Sequence, residues 1–454
     1  MKKLFVFALA VLLVFAFTMP AAAVEHVFGG YFNTRFATNQ NFTGQDQNEK
    51  LDITWVDTRT RLYYTAVLND NLKLVTKTEM DAVWGLAGAQ GGIVAPGARA
   101  DGDVGADGVG VEVKNMYVDF TPTLFPDINF KIGVQGLMQS RGFFFFDDFA
   151  GLVATYKGDN FTLPFVWMKA YEGTMALNTD SNSKDVDIYG LNPTFSINDL
   201  QLNPFIFWLN SDNIGAYHPS ANHNSVGEAA FLNSPGIVGD VDAWYLGINA
   251  DYKADGWGVW GTFIYETGEA ELTPTAALVL PAGITSASFD IDAYLIAFGG
   301  NLQYNDLELH GEFFYATGDS DPSDNQIDDF LALGQNHGWA EIMGHGMFDV
   351  RASNGSCGKY VTNVQAYNIG MKFKPFEEIT LGLDLWHAEL AQDNAAGNDE
   401  LGTELDAKIT YQVVEGLQLD VVGAILFAGD ATYTSPGLRE SDPYEIGAQL
   451  SLSF

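Results

Sequence analysis

The parity of its connections constrains this chain more than any other feature. Stretches of period-two alternation, apolar on one side and polar on the other, recur from end to end. Such a stretch is a β-strand with one greasy and one wet face. About eighteen fit the template, near residues 26–37, 55–68, 72–84, 109–121, 128–139, 149–157, 161–172, 186–197, 201–210, 241–252, 257–267, 288–304, 307–317, 361–373, 379–390, 401–412, 417–428 and 444–454. Every second link is tight (69–71, 122–127, 158–160, 198–199, 253–256, 305–306, 374–378, 413–416) and rich in Asn, Asp, Gly and Pro. Those residues tolerate positive φ or preset a turn. The intervening links, such as 38–54, 85–108, 211–240 and 318–360, are mostly long and polar. A soluble sandwich has no reason to keep that parity. A membrane barrel needs it: short turns on one side, long loops on the other, an even strand number and both termini together. The expectation is an all-β, closed antiparallel transmembrane β-barrel of about 18 strands, with 16 as the alternative.

Individual strands agree. In 401–412, Leu401, Thr403, Leu405, Ala407, Ile409 and Tyr411 face one way, and Glu404, Asp406, Lys408, Thr410 and Gln412 the other. In 128–139, Ile128, Phe130, Ile132, Val134 and Met138 oppose Asn129, Lys131, Gln135 and Gln139, with Leu137 out of phase. A charge costs about 2–4 kcal/mol at the bilayer midplane, so the apolar face is the lipid face. Closure then pairs every backbone polar group, as hydrocarbon requires. Charged residues are 18% of the chain, below the globular norm of about 25%, while aromatics reach 13%. Trp84, Trp167, Trp208, Trp244, Trp257 and Tyr265 sit near strand ends, where girdle residues belong. The final alternation, Tyr444 to Phe454, resembles the closing strand of bacterial outer-membrane barrels, whose terminal aromatic is an assembly signal. That resemblance implies the barrel assembly machinery as a partner through Phe454.

The amino terminus supplies the address. Lys2 and Lys3, an apolar run from Leu4 to Phe17, then Pro20 and three alanines read as a secretory signal over 1–23, leaving 24–454 as the barrel domain. No later stretch gives the 18 or so continuous apolar residues of a spanning helix. The net charge is −36, and removal of Lys2 and Lys3 takes it to −38. Such acidity excludes nucleic acid as a bulk partner and favours cations, including divalent ions bridging to lipopolysaccharide. The single Cys357 makes no internal disulfide and reads as a tolerated loop residue.

The segment 57–81, DTRTRLYYTAVLNDNLKLVTKTEMD, resembles the early hairpin of Gram-negative porins of the phosphate and alginate-export types. The matching positions are Arg59, Arg61 and Leu62, then Asn69-Asp70, then Lys73, Lys77, Glu79 and Asp81. The resemblance implies an outer-membrane channel for small hydrophilic solutes, surrounded by outer-membrane lipid and lipopolysaccharide; the oligomeric state stays open, with a homotrimer one option. One departure matters. Anion-selective relatives are basic in the pore and this chain is acidic, so no substrate is carried over.

Alternation also assigns the lumen. Arg35, Arg59, Arg61, Lys73, Lys77, Lys114 and Lys131, with Glu79 and Asp81, fall on the wet face of the first five strands. Glu308, Glu312, Asp384, Glu404, Asp406, Asp420 and Glu445 fall on the wet face of the last six. Two walls of opposite sign would give a transverse field that filters solutes by charge. The competing reading is a set of salt bridges that only stabilise the wall. A constriction needs a loop that folds inward. The candidates are 139–148 (QSRGFFFFDD), with Arg141, Asp147 and Asp148 beside an apolar plug, and 318–360, in which 330–349 could form a short helix. The bland alternative leaves both outside as surface cover.

Asp319, Asp321, Asp324, Asp328 and Asp329 offer hard oxygens for Ca²⁺ at an external loop, although the glycine and terminal glutamate of an EF-hand are missing. A solvated acidic loop competes with that reading, and His337 and His345 read as loop residues. His310 and His387 lack a nucleophile motif, so no enzyme is expected, and no other cofactor. The functional expectation is passive diffusion with modest cation selectivity. The alternatives are a plugged surface receptor or structural barrel with acidic loops that bind metal or polysaccharide, and an exporter of acidic polysaccharide.

Overall fold

A computed structural model describes residues 24–41, 53–85, 101–102, 109–172, 185–211, 238–273, 288–321, 324–334, 337–344, 346–348, 361–394, 396–432 and 442–454. The expected signal segment, His345 and Cys357 lie outside the described residues. Eighteen strands follow in order: β1 (Glu25–Gln40), β2 (Ile53–Asn69), β3 (Leu72–Trp84), β4 (Glu112–Phe120), β5 (Ile128–Gln139), β6 (Phe145–Lys157), β7 (Phe161–Tyr171), β8 (in two pieces, Val186–Leu191 and Thr194–Ile197) and β9 (Leu200–Ser211). Then come β10 (Val238–Ala254), β11 (Trp257–Thr273), β12 (Ser288–Tyr304), β13 (Leu307–Ala316), β14 (Val364–Phe376), β15 (Ile379–Leu390), β16 (Glu400–Val414), β17 (Leu417–Ala428) and β18 (Tyr444–Ser453). Each pairs antiparallel with the next, and β18 returns to β1 from Tyr31↔Ser453 to Gln40↔Tyr444. Phe454 extends that seam, its carbonyl accepting from the Gly30 N–H at 2.9 Å.

The sheet is therefore a closed antiparallel barrel, and 18 rather than 16 is its strand number. Two details depart from the sequence expectation. β6 begins at Phe145, so the anticipated loop 139–148 shrinks to a 3₁₀ turn, Ser140–Gly142, and Asp147 and Asp148 become strand residues. A register shift between β15 and β16 at Ala388/Glu389 breaks the alternation, and Leu401 turns inward to be buried.

The outer surface carries exposed Leu62, Leu246, Ile296, Leu385, Leu405 and Ile409, among many others. A water-soluble surface does not sustain a continuous apolar belt of this kind, but hydrocarbon requires it. Aromatic rings hold their polar ends on strand-end partners: Trp84 Nε1 donates to Thr58 Oγ1 at 2.9 Å, Trp167 Nε1 to Asp187 at 2.8 Å and Trp208 Nε1 to Asp242 at 2.9 Å. An apolar ring with one wet edge is what an interfacial girdle needs.

The inner surface is not uniformly wet. From β7 to β13 it carries buried Val166, Met168, Ile188, Phe207, Leu295 and Phe314, which share one apolar cluster. In this sector the strands are apolar on both faces, as runs such as FIFWL (205–209) and AYLIAF (293–298) show. Lipid takes one face, and protein fills the other.

A cysteine placed at Leu405 or Ile409 in a Cys357→Ser background should resist a membrane-impermeant maleimide. One placed at Glu415, exposed between β16 and β17, should react at least tenfold faster. Equal rates at Leu405 and Glu415 would overturn the assigned faces.

Candidate functional site

The described part of the segment between β13 and β14 packs on the apolar side of the lumen through residues 330–343 and on β1, β2 and β17 through Phe348. Its Leu331 N–H donates to Glu266 of β11 at 2.8 Å. The carbonyl of Gly334 accepts from the Phe146 N–H of β6 at 2.8 Å. His337 places Nε2 2.8 Å from Glu312 of β13 and Nδ1 2.9 Å from the Arg141 carbonyl. The N–H groups of Ile342 and Met343 donate to the two carboxylate oxygens of Glu404 on β16, at 2.6 and 2.8 Å. Arg35 of β1 donates to the Met347 carbonyl at 3.3 Å. Strands so far apart around a closed ring can be reached together only from inside, so this segment crosses the lumen. Its described part between 330 and 348 runs through turns rather than the expected short helix. Consecutive N–H groups converging on one carboxylate form an anion-holding nest, here with the anion on the wall.

The β5–β6 turn meets it from the opposite side. Phe143 and Phe144 are fully buried. Phe143 stacks on the His337 ring at 3.7 Å, and Phe144 packs 5.0 Å from both Phe207 and Tyr245. Burial of one such ring contributes about 1.5–3 kcal/mol. Arg141, with a left-handed φ of 54°, pairs with Asp251 and lies 4.3 Å over the Trp260 ring. It thus braces the turn. Both candidate constriction loops fold inward, and they touch each other.

The acids expected on the lumen wall lie largely beneath this cover. Glu404 and Glu445 are 0% exposed, and Asp406 and Asp420 are buried. Asp420 accepts from Thr410 Oγ1 at 2.6 Å and sits 3.4 Å from Lys408. Glu308 pairs with Lys372 at 3.1 Å, and Asp384 accepts from Asn368 at 3.1 Å beside His310.

In the basic sector the three arginines and Lys114 are each paired with an acid. Arg35 binds Asp57 through two hydrogen bonds of 2.9 and 2.6 Å, Arg59 binds Asp81 at 2.7 and 2.5 Å, Arg61 binds Glu79, and Lys114 lies 3.1 Å from Asp148. Lys77 and Lys131 rest over the rings of Tyr63 and Tyr117, at 5.1 and 5.7 Å. Interlocked pairs, rather than walls of one sign, are the arrangement present. Asp57, two residues before Arg59, joins the site as the partner of Arg35, and periodicity within its own strand gives no sign of it. The signal for it is register: Arg35 stands opposite Asp57 across the β1–β2 pair.

Open space remains on this polar side. A cavity of about 540 Å³ is bordered by Arg59, Arg61, Lys77, Glu79 and Lys114. A second, of about 400 Å³, lies near the short turns and is bordered by Asp70, Lys73, Asp119, Lys131 and Lys157.

No protein-family model and no curated protein sequence matches the chain. Solved structures do match. Acinetobacter baumannii OccAB1 aligns at 12% identity and a TM-score of 0.55, covering 96% of this chain and 99% of that one. Pseudomonas aeruginosa OccK8 (OprE) aligns at 11% and 0.55, covering 94% and 98%. Pseudomonas aeruginosa OpdK with vanillate aligns at 11% and 0.54, covering 94% and 98%. The fold is that of the Gram-negative outer-membrane porins. Identity this low carries the fold and leaves residue roles to the geometry above.

The acidic loop within this porin fold gains no metal geometry. Asp319 Oδ1 accepts from the Asp321 N–H and Asp324 Oδ1 from the Gln326 N–H, both at 2.8 Å, so these carboxylates cap turns. Among the described residues no group of three acidic, histidine or cysteine side chains is arranged to hold a metal ion.

Two consequences are measurable. Glu404→Ala leaves the Ile342 and Met343 N–H groups without acceptors, at about 1–3 kcal/mol each. Single-channel conductance should rise severalfold as the segment undocks, and unchanged conductance would mean that Glu404 does not hold it. Burial pushes the Glu341 carboxyl above its ordinary value of 4.5, against the lowering effect of the Met347 N–H. The docked segment therefore binds more protons than the undocked one, so docking is favoured at low pH and weakens as pH rises past 4.5. Open-state noise should grow with pH in the parent and show a weaker dependence in Glu341→Gln, and an identical dependence in the two would mean that Glu341 does not contribute to it.

Proposed function

We propose that the chain conducts small hydrophilic solutes passively along the polar side of its lumen, past Arg59, Arg61, Lys77 and Glu79 and then past Lys73 and Lys131. One observation carries this reading: residues 330–343 of the inserted segment pack on the apolar sector and Phe348 packs on Ala37, Trp55 and Val422, yet two cavities stay open beside the charged side chains of β2 to β6. Shallow, repeated contacts let a solute enter and leave again.

The sequence acidity suggested modest cation selectivity, but that suggestion leaned on Glu404, Asp406, Asp420 and Glu445, which are buried. Distant loop charges act weakly, because the Debye length is about 8 Å at physiological salt. The upper cavity has four bases and three acids on its border, and the lower has three bases and two acids. This lining supports a weak preference for anions. OpdK, which shares the fold, was solved with vanillate, an organic anion. That precedent supports small organic anions as permeants here.

The crossing segment also favours a second reading, a plugged receptor. Planar-bilayer recording separates the two. A parent that conducts, with a reversal potential in a KCl gradient on the anion side, supports the porin reading. Absence of current from both the parent and Glu404→Ala would favour the receptor. The double variant Arg59→Ser/Arg61→Ser removes two bases from the path and should move the reversal potential toward cations. No shift would mean that these arginines do not border the path.

A further inference from the structure

Among the described residues, the ladder between β4 and β5 is incomplete. β4 pairs with β3 along its length, from Leu72↔Phe120 to Glu79↔Glu112. On its other edge it pairs with β5 only from Phe120↔Phe130 to Met116↔Val134. Beyond that point, Glu112 to Asn115 and Gln135 to Gln139 have no ladder with each other among the described residues, while β5 stays paired to β6 as far as Gln139↔Phe145. At about 3.3 Å per residue and a tilt near 40°, the ladder stops roughly 10 Å above the short turns, within an apolar band about 25 Å tall.

Local features of the sequence open it. A register shift at Lys77/Thr78 makes Lys114 an extra residue in β4. Gly133 has a φ of 132°, and a Cβ there would lie 2.2 Å from the Met116 carbonyl oxygen. Past this crossing the β5–β6 hairpin tip leans inward, which is how Phe144 reaches Tyr245.

The gap is spanned by side chains. Asp148 stands opposite Gly136, and a Cβ on Gly136 would sit 3.2 Å from Asp148 Oδ1, so the bare glycine leaves room for the carboxylate. Asp148 crosses there to Lys114 Nζ at 3.1 Å and accepts from Asn115 Nδ2 at 3.2 Å. Met138 and Phe146, which share Gly136's outward side by alternation, are 60% and 48% exposed. They border the same 540 Å³ cavity that Arg59, Arg61 and Lys77 border from within. An ion pair on a lipid-facing register is stable only where water reaches it.

We infer that this gap is a lateral portal for single-chain amphiphiles with an anionic head. The head lies near Arg59, Arg61 and Lys77, the chain runs over Leu137, Met138 and Phe146 toward the bilayer, and the Lys114–Asp148 bridge is the latch. This goes beyond the axial path, and a defect in either can be seen without the other.

The test has two arms. In a Cys357→Ser background, a bimane on Met138→Cys should be quenched both by lipids brominated in mid-chain and by aqueous iodide. Removing the latch with Lys114→Ala/Asp148→Ala should at least double the iodide effect. Quenching by lipid alone, unchanged without the latch, would mean a sealed wall and overturn the portal, whether or not the barrel conducts. In the second arm, dodecyl sulfonate should block KCl current, and Gly136→Trp, which fills the gap, should raise the half-blocking concentration at least tenfold. Ethane sulfonate, with a similar head and no long chain, should block both alike. Equal dodecyl sulfonate block in parent and Gly136→Trp barrels of normal heat-modifiability would overturn the assignment of this gap as the amphiphile route.

Discussion

An unpaired backbone N–H or C=O in hydrocarbon costs several kcal/mol, and the rest of this structure follows from that cost. A sheet escapes it only by closing. Closure from β18 to β1 fixes an even strand number, places both chain ends on one side, and makes every second link short. The same solvent decides the outward faces, since a charge there would be nearly as costly. Where the ladder between β4 and β5 ends early, Lys114, Asn115 and Asp148 gather polar atoms at the break, so the exception obeys the same constraint.

Inside, the barrel faces a different problem. A ring of eighteen strands encloses more space than its inward side chains fill. This chain divides that space. The sector from β7 to β13 carries a large apolar cluster, with Phe330, Leu333 and Ile342 of the crossing segment packed on it. The sector from β1 to β6 is charged and keeps its cavities. The crossing segment needs both kinds of contact. Its side chains are held by apolar burial, and its N–H groups at Leu331, Glu341, Ile342 and Met343 are held by Glu266, Asp406 and Glu404. Acids far from each other in sequence thereby act as caps for one segment.

The strands were legible because their periodicity records the two solvents directly. Each expected strand overlaps an observed one, and the tight links stayed tight. What failed was local or remote. Leu401 looked lipid-facing because a register shift between neighbouring strands leaves no mark in the alternation of one strand. Phe145 to Asp148 looked like loop because the aromatic run hid the phase that makes Phe145 and Phe149 inward-facing and buried. The site was less legible than the fold. Which base meets which acid depends on register between strands, as with Arg35 and Asp57, and periodicity within one strand is silent about it. The meeting of Phe143 with His337 joins residues nearly two hundred positions apart, and neither segment alone reveals the other.

The charge of the molecule shows why total composition misleads about a path. The chain carries 58 acids against 22 bases, yet the residues that border the polar cavities include more bases than acids. Charge acts on a solute through distance and dielectric rather than through the total. A carboxylate on an external loop is screened within about 8 Å by salt, and a carboxylate held by backbone N–H groups has already spent its field on them. Glu404, facing two N–H donors, belongs to the second class. Lys77 and Lys131, resting on tyrosine rings beside open space, belong to neither. A ring quadrupole attracts a cation without neutralising it, so these two lysines keep a positive potential where a solute would pass.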